Sequence, residues 1–340
     1  MLKKLSLVCL LVLLIEPFAV LAQSLTPPNV IVPRMRVIVD NDFSGDPDGL
    51  FQMAHLLLSP SVEIRGIIGS HLSVTDGFDP SKMQAENAAK KVKELMQTMN
   101  IKKTIPVLIG SNTAMPNDST PVKSEAVNFI IKEALRTDTK LPLYVLCGAG
   151  LTEIASAVLT NPEIANKITL VWIGGPEYND LAVPPPNYSN PEYNLNIDIA
   201  AGRAIFNQSK IMLWQIPRNV YRQCMVSYSQ LLLKVKPKGK TGNYLVSTLE
   251  SLMTKIQPFL NIGETYILGD SPLVLLTALQ SSFEADPSSS DYVVKLAPKI
   301  NQAGAYEYNH KGRAIRVYTH LDTFLMFEDF FAKLELANAY

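Results

Sequence analysis

Four carboxylates fall within nine positions near the start of the chain: Asp40, Asp42, Asp46 and Asp48. Acids this close repel one another unless a cation, a helix N-terminus or protonation offsets the charge. Their oxygens suit a hard divalent cation such as calcium or magnesium. A carboxylate beside bound water also serves as a general base. Two of the four have a plain structural reading. Asp46 before Pro47 suits a helix N-cap followed by a first helical residue. Asp48 then lies in a first turn, where the helix dipole favours negative charge. Asp40 and Asp42 have no such reading at the tip of an apolar strand, where unpaired buried charge is costly.

The elements that must position these acids follow from the pattern around them. Residues 36–39 form a β-branched run that ends in the cluster. Beyond it Leu50, Phe51, Ala54, Leu57 and Leu58 share one helical face. Further strand-like runs lie at 62–68, 105–109, 142–147, 168–174 and 210–216, with helical patterns near 81–99, 122–136, 151–159 and 198–207. This alternation predicts an α/β fold, a mostly parallel central sheet with helices on both faces. The last third is less regular, with helices near 243–256 and 272–280 and a strand at 292–296. In such sheets ligands bind outside the carboxyl ends of the strands. Other polar candidates sit at those ends: Ser70 and His71, Thr152, Glu192 and Asn194 beyond Gly174 and Gly175, and Asp270 before Ser271 and Pro272. Each also has a bland reading. His71 could simply end a strand, Asp270 could cap a helix, Thr152 could start one, and Glu192 and Asn194 could be loop polars. Residues 183–188 read as a Pro-rich loop over the strand ends.

The chain as a whole narrows the class. Lys3 and Lys4, an apolar run at 5–15 and the small-residue end Val20, Leu21, Ala22 read as a secretory signal peptide cut before Gln23. Glu16 and Pro17 interrupt the run and argue against a membrane anchor. The expected organisation is a signal peptide at 1–22 and a single domain at 23–340, exported to a periplasmic or extracellular location and free of the membrane after cleavage. Without the signal, 29 basic residues face 30 acidic ones, too balanced for a nucleic-acid partner. Cys147 and Cys224 lie in or beside apolar segments and read as buried free thiols.

With these pieces in place, the chain resembles the inosine–uridine-preferring nucleoside hydrolase family over nearly all of the mature sequence. That family opens with a strand and an Asp-x-Asp-Pro-Gly-x-Asp-Asp-Ala signature. The counterpart here runs from Asp40 to Leu50 and looks like a longer version with two inserted positions. The family's Gly-Pro-Leu-Thr-Asn-Leu-Ala resembles Ala149 to Ala155, and its Glu-Phe-Asn-x-x-x-Asp resembles Glu192 to Asp198. Its late His-Asp-Pro resembles Gly269, Asp270 and Ser271.

The resemblance implies a Rossmann-like nucleoside hydrolase fold, a Ca2+ ion, and hydrolysis of the N-glycosidic bond of ribonucleosides. Asp42 would bind calcium and take a proton from the attacking water. Asp46, Asp48, Thr152 and Asp270 would be further calcium ligands, Thr152 through its backbone carbonyl. Asp48, Glu192, Asn194 and Ser70 would hold the substrate, a small nucleoside. His71 is the candidate proton donor to the leaving base. A homo-oligomer is compatible with the sequence. Two departures stand out. The family's paired acids are Asp48 and Gly49 here, and the leaving-group His of some members is Gly269. These favour, as an alternative, a protein that binds a ribose or glycosyl ligand without hydrolysis. A phosphotransferase of the haloacid-dehalogenase kind also uses Asp-x-Asp at a strand end. Phe43, Ser44 and Gly45 do not suit its motif.

Overall fold

The acids hang from the centre of one sheet. In the computed structural model the described residues are 30–187, 191–283 and 286–339. Eight strands pair there: β1 (Met35–Asn41), β2 (Val62–Gly69), β3 (Val107–Ile109), β4 (Leu143–Cys147), β5 (Ile168–Ile173), β6 (Met212–Ile216), β7 (Tyr292–Leu296) and β8 (Ala314–Tyr318). Their order is β3-β2-β1-β4-β5-β6-β8-β7. All neighbours are parallel except β7, which runs antiparallel to β8 at the edge.

The register explains why the candidate residues converge. Asp40 stands beside Ile68 of β2 and Cys147 of β4. The loops that start with Ser70 and Gly148 therefore leave the sheet at the level of Asp42.

Both faces of the sheet are covered, so the middles of the central strands carry apolar side chains on both faces. Val37 and Val39 point into one core with Leu50, Val92, Leu245 and Phe330. These come from the helices Asp48–Leu57, Gln84–Thr98, Gly239–Ile256 and Thr323–Ala339. Ile38 points into the other core with Val127, Ile130, Ile154 and Ile205. The helices Glu125–Ala134 and Thr152–Thr160 close that face. Cys147 and Cys224 are buried free thiols, as expected.

Three local readings change. The helical pattern at 198–207 is an α-turn, Ile199–Arg203, that widens into a π-turn, Ala204–Gln208. The pattern at 272–280 is helical only over Pro272–Leu275. There the Thr277 hydroxyl donates back to the Leu273 carbonyl at 2.5 Å, a bond that competes with a continuing helix. The strand β8 and the helix Thr323–Ala339 complete a region that reads as irregular in sequence.

Residues 32–339 group as one compact unit. The signal-peptide reading at 1–22 and Tyr188 of the Pro-rich loop lie outside the described residues. Among the described residues no helix is long and apolar enough to cross a membrane.

Candidate active site

A cavity of about 310 Å³ opens at the carboxyl edge of β1, β4 and β5. Five carboxylates line it: Asp42, Asp46, Asp48, Glu192 and Asp270. Asn194, Gly148 and Gly269 add polar groups and backbone, and Phe78, Ile173, Tyr193, Tyr221 and Ile267 supply apolar and aromatic walls. None of the described residues that line it is Lys, Arg or His.

The loop after β1 is bent so that its acids face inward. The Gly45 N–H donates to the Asp42 carbonyl at 2.7 Å and closes a tight turn. Asn41 anchors both sides of the site. Its Oδ1 accepts from the Asp42 N–H at 2.9 Å, and its Nδ2 donates to Asp270 Oδ2 at 2.8 Å. Asp46 Oδ1 accepts from the Asp48 N–H at 3.1 Å and from the Tyr266 hydroxyl at 2.7 Å. Asp46 therefore lies just ahead of the helix Asp48–Leu57 and holds the Asp48 N–H; the N-cap is Pro47 rather than Asp46, and the Asp46 side chain lines the cavity. Asp48 Oδ2 accepts from the Asp270 N–H at 3.2 Å. The acidic loop and the last acid of the site are thus joined directly.

Gly49 explains one departure from the family pattern. A Cβ there would stand 2.9 Å from Asn41 Nδ2 and 3.3 Å from Asp270 Oδ2. The Asn41–Asp270 hydrogen bond occupies the space that a second acid in the pair would need.

On the opposite wall Glu192 caps the helix Tyr193–Ile197. Its Oε2 accepts from the Leu195 N–H at 3.1 Å and the Gly175 N–H at 2.7 Å, and its Oε1 accepts from the Tyr221 hydroxyl at 2.7 Å. Asn194 Nδ2 donates to the carbonyls of Gly148 and Ile173, at 3.0 and 2.8 Å. It ties the end of β4 to the end of β5.

The electrostatics are unbalanced. Burial pushes the Asp42 carboxyl well above the usual range, and Asp270, Asp46 and Asp76 push it further. Burial raises Asp48 likewise, with Asp270, Asp46 and Asp42 adding to it. Asp46 and Asp48 are partly exposed, whereas Asp42 is buried. Asp270 rises to about 7 through burial, against the Asn41 hydrogen bond. Asp46 rises to about 6 through burial, against the Tyr266 and Asp48 hydrogen bonds.

Such a site fits a hard cation in donor chemistry: carboxylate oxygens facing one cavity with no basic side chain to neutralise them. It is not a ready-made cage. Among the described residues no group of three or more His, Cys, Asp or Glu is arranged to hold a metal ion. Asp46 and Asp270 each have one oxygen already bonded, to Tyr266 and to Asn41. Coordination would draw these acids together around the ion.

Three residues singled out from the sequence do not reach the cavity wall. The Ser70 hydroxyl donates to Asp40 Oδ1, and Asp40 Oδ2 is buried with no hydrogen-bond partner among the described residues. His71 is buried; its Nδ1 donates to the Leu72 carbonyl at 2.8 Å, and its Nε2 meets Thr152 Oγ1 at 3.0 Å. Burial holds His71 below its usual pKa. The Thr152 hydroxyl donates to Asp198 Oδ2 at 2.7 Å, one turn beyond the Gly148 backbone that lines the cavity instead. Trp172 is fully buried core. Conversely, sequence reasoning did not single out Asn41, Tyr266, Phe78 or Tyr221. Asn41 was legible as the polar residue between Asp40 and Asp42. The other three carry no sequence signal beyond being aromatic.

No curated protein matches the sequence. Solved structures share the fold. The purine-preferring ribonucleoside hydrolase from Gardnerella vaginalis superposes with a TM-score of 0.68 at 19% identity, over 89% of this chain and 99% of that one. The inosine-uridine preferring nucleoside hydrolase from Bacillus anthracis gives 0.62 at 18% identity, over 88% and 99%. A nucleoside hydrolase-related protein from Saccharophagus degradans, associated with carbohydrate metabolism, gives 0.57 at 16% identity, over 89% and 72%. Residues 37–324 match the family model of inosine-uridine preferring nucleoside hydrolases, and the match spans β1, the acidic loop, Glu192, Asn194 and Asp270. The chain belongs to this family of nucleoside hydrolases, which are N-glycosidases.

Proposed function

We propose that the protein is a calcium-dependent nucleoside hydrolase that cleaves ribonucleosides into base and ribose. One observation carries this reading: five carboxylates converge on a single cavity with no basic side chain among the described residues of its wall. Asp42, Asp46, Asp48 and Asp270 would hold the calcium. Bound there, the ion would polarise and orient the attacking water.

The chain's own groups do the rest. Asp42, held by the Asn41 side chain and the Gly45 turn, accepts the proton from water as general base. Cleavage builds positive charge on the ribose ring, and the carboxylates around it stabilise that charge. Glu192 is fixed by three hydrogen bonds and keeps lone pairs free for ribose hydroxyls. Asn194 is fixed by two and stands beside it. Rigid positioning of this kind lowers the barrier by pre-ordering the sugar. Ser70 and His71 are left out of this assignment, as is the Thr152 carbonyl, because they sit behind the wall.

Ribose release from a nucleoside panel, with and without chelator, tests the proposal. Turnover that needs calcium supports it, and no turnover of any substrate sinks it. A second reading, ribose or glycosyl binding without hydrolysis, is favoured by Gly49 and Gly269 on the site. It predicts calcium and ribose binding with no release of base. The signal-like start at 1–22 supports export, and N-terminal sequencing of the mature protein tests that.

A further inference from the structure

We propose that the preferred substrates are ribosides of cationic N-heterocycles, such as pyridinium ribosides, whose base departs without taking a proton. The inference rests on the hydrolase reading above and specifies its substrate class.

Breaking the C1′–N bond leaves the electron pair on the ring nitrogen. A neutral base must then be protonated or leave as an anion. With its carboxylates committed to a cation, the cavity offers no donor side chain free for the base among the described residues of its wall. None of the four histidines lines it. His55 pairs with Asp329 at 2.7 Å, His71 is buried against Leu72 and Thr152, and His310 and His320 are exposed elsewhere. The two phenols on the wall direct their protons at carboxylates. Tyr193 donates to Asp76 Oδ2 at 2.5 Å, and Tyr221 to Glu192 Oε1 at 2.7 Å. At Gly269 the wall is backbone, and a Cβ there would already stand 3.3 Å from Asp48 Oδ2 and 3.5 Å from Tyr221 Cδ2, so this position supplies no donor side chain.

The same wall suits a positive ligand. With the five carboxylates ionised, a divalent cation would offset two of their charges and leave the cavity negative. Phe78, Tyr193 and Tyr221 present aromatic rings, whose faces attract cations. A pyridinium riboside needs no acid. Water's oxygen bonds to C1′ as the C1′–N bond breaks. The electron pair moves onto the ring nitrogen and cancels its charge. The proton lost by water goes to Asp42 and then to solvent. Ribose and a neutral base result, with no oxidant or reductant.

The test compares kcat/KM of the calcium-loaded protein on nicotinamide riboside, inosine, uridine and p-nitrophenyl β-riboside. The last is neutral but also leaves without protonation, so it separates charge from leaving ability. We expect nicotinamide riboside to exceed inosine and uridine by about tenfold or more, the worth of one desolvated cation–π contact. We also expect its KM to lie below that of the p-nitrophenyl compound. Inosine or uridine turned over as well as nicotinamide riboside overturns this inference and leaves the hydrolase reading standing. A KM no lower than that of the p-nitrophenyl compound removes the charge recognition. No turnover of any of the four overturns both readings.

Discussion

The two ends of β1 treat charge in opposite ways. At its start Arg36 is buried, and its Nη1 donates to Glu133 Oε1 at 2.6 Å and to the Glu133 carbonyl at 2.9 Å. Its Nε donates to the Leu141 carbonyl at 2.9 Å. Arg65 and Arg136 also reach Glu133 Oε1, each at 3.0 Å. Every charge there meets an opposite one. At the other end, Asp42, Asp46 and Asp48 line one cavity with Asp270, with no basic side chain among the described residues of its wall. Paired buried charge locks a register but is weak evidence of function, whereas breaking such a pair is costly. Unpaired buried charge persists only where something else needs it. The contrast separates the structural end of the strand from the chemical end.

The largest effect should come from the chemical end. Asp42→Asn is expected to lower kcat about 10³-fold, within the usual worth of a general base, with thermal stability kept or raised because a repelled buried charge is gone. Steady-state kinetics and a thermal melt on one sample check both halves. Glu133→Ala should do the reverse. It strands Arg36 and costs about 3–5 kcal/mol, read as a lower Tm, while kcat per folded molecule stays unchanged. A loss of activity in proportion to stability for both variants would erase the distinction between the two ends.

Acidity offers a milder probe. Asp40 and Asp270 sit near 7 and Asp46 near 6, against 3.8 for a free Asp side chain. The folded metal-free protein therefore holds more protons than the unfolded chain between those values. The stability from these protonated carboxyls is full below about 4 and is lost as pH rises through 6 to 7. Melts of the chelated protein should show Tm falling over that window, and calcium should restore it at neutral pH. A chelated protein whose Tm rises across the window would contradict the unpaired state of the site. The smallest effect belongs to Tyr266→Phe. It removes one hydroxyl donor from Asp46 and should cost about 1 kcal/mol, with calcium affinity only slightly reduced, as calorimetric titration would show.

Much of this was legible in the sequence, for identifiable reasons. The strands 36–39, 62–68, 142–147 and 168–174 are rich in β-branched and other apolar residues and end at glycines or acids, so each survives as a strand of the sheet. The acids at the end of β1, together with Glu192, Asn194 and Asp270, were readable because they follow strands or start helices, and they share one cavity. What failed to read was set by contacts distant in sequence. Tyr266 meets Asp46 from 220 positions away, and nothing local marks it. His71 sits at a strand end as expected, yet its ring turns back to Leu72 and Thr152, a choice that side-chain packing makes and spacing does not. The helix Thr323–Ala339 carries Phe327, Phe330 and Phe331 on one side but exposed Leu325 and Leu336 on the other, so it shows little of the one-sided pattern by which a helix is recognised.

The central claim is that the unpaired end of β1 is a calcium site that hydrolyses ribosides. The most direct measurement is reducing-sugar release from inosine, uridine and nicotinamide riboside by the calcium-loaded protein, repeated after chelation and after calcium is returned. The account predicts ribose release that stops with chelator, resumes with calcium and is absent from Asp42→Asn. Release indifferent to chelator, or equal in Asp42→Asn, would contradict it.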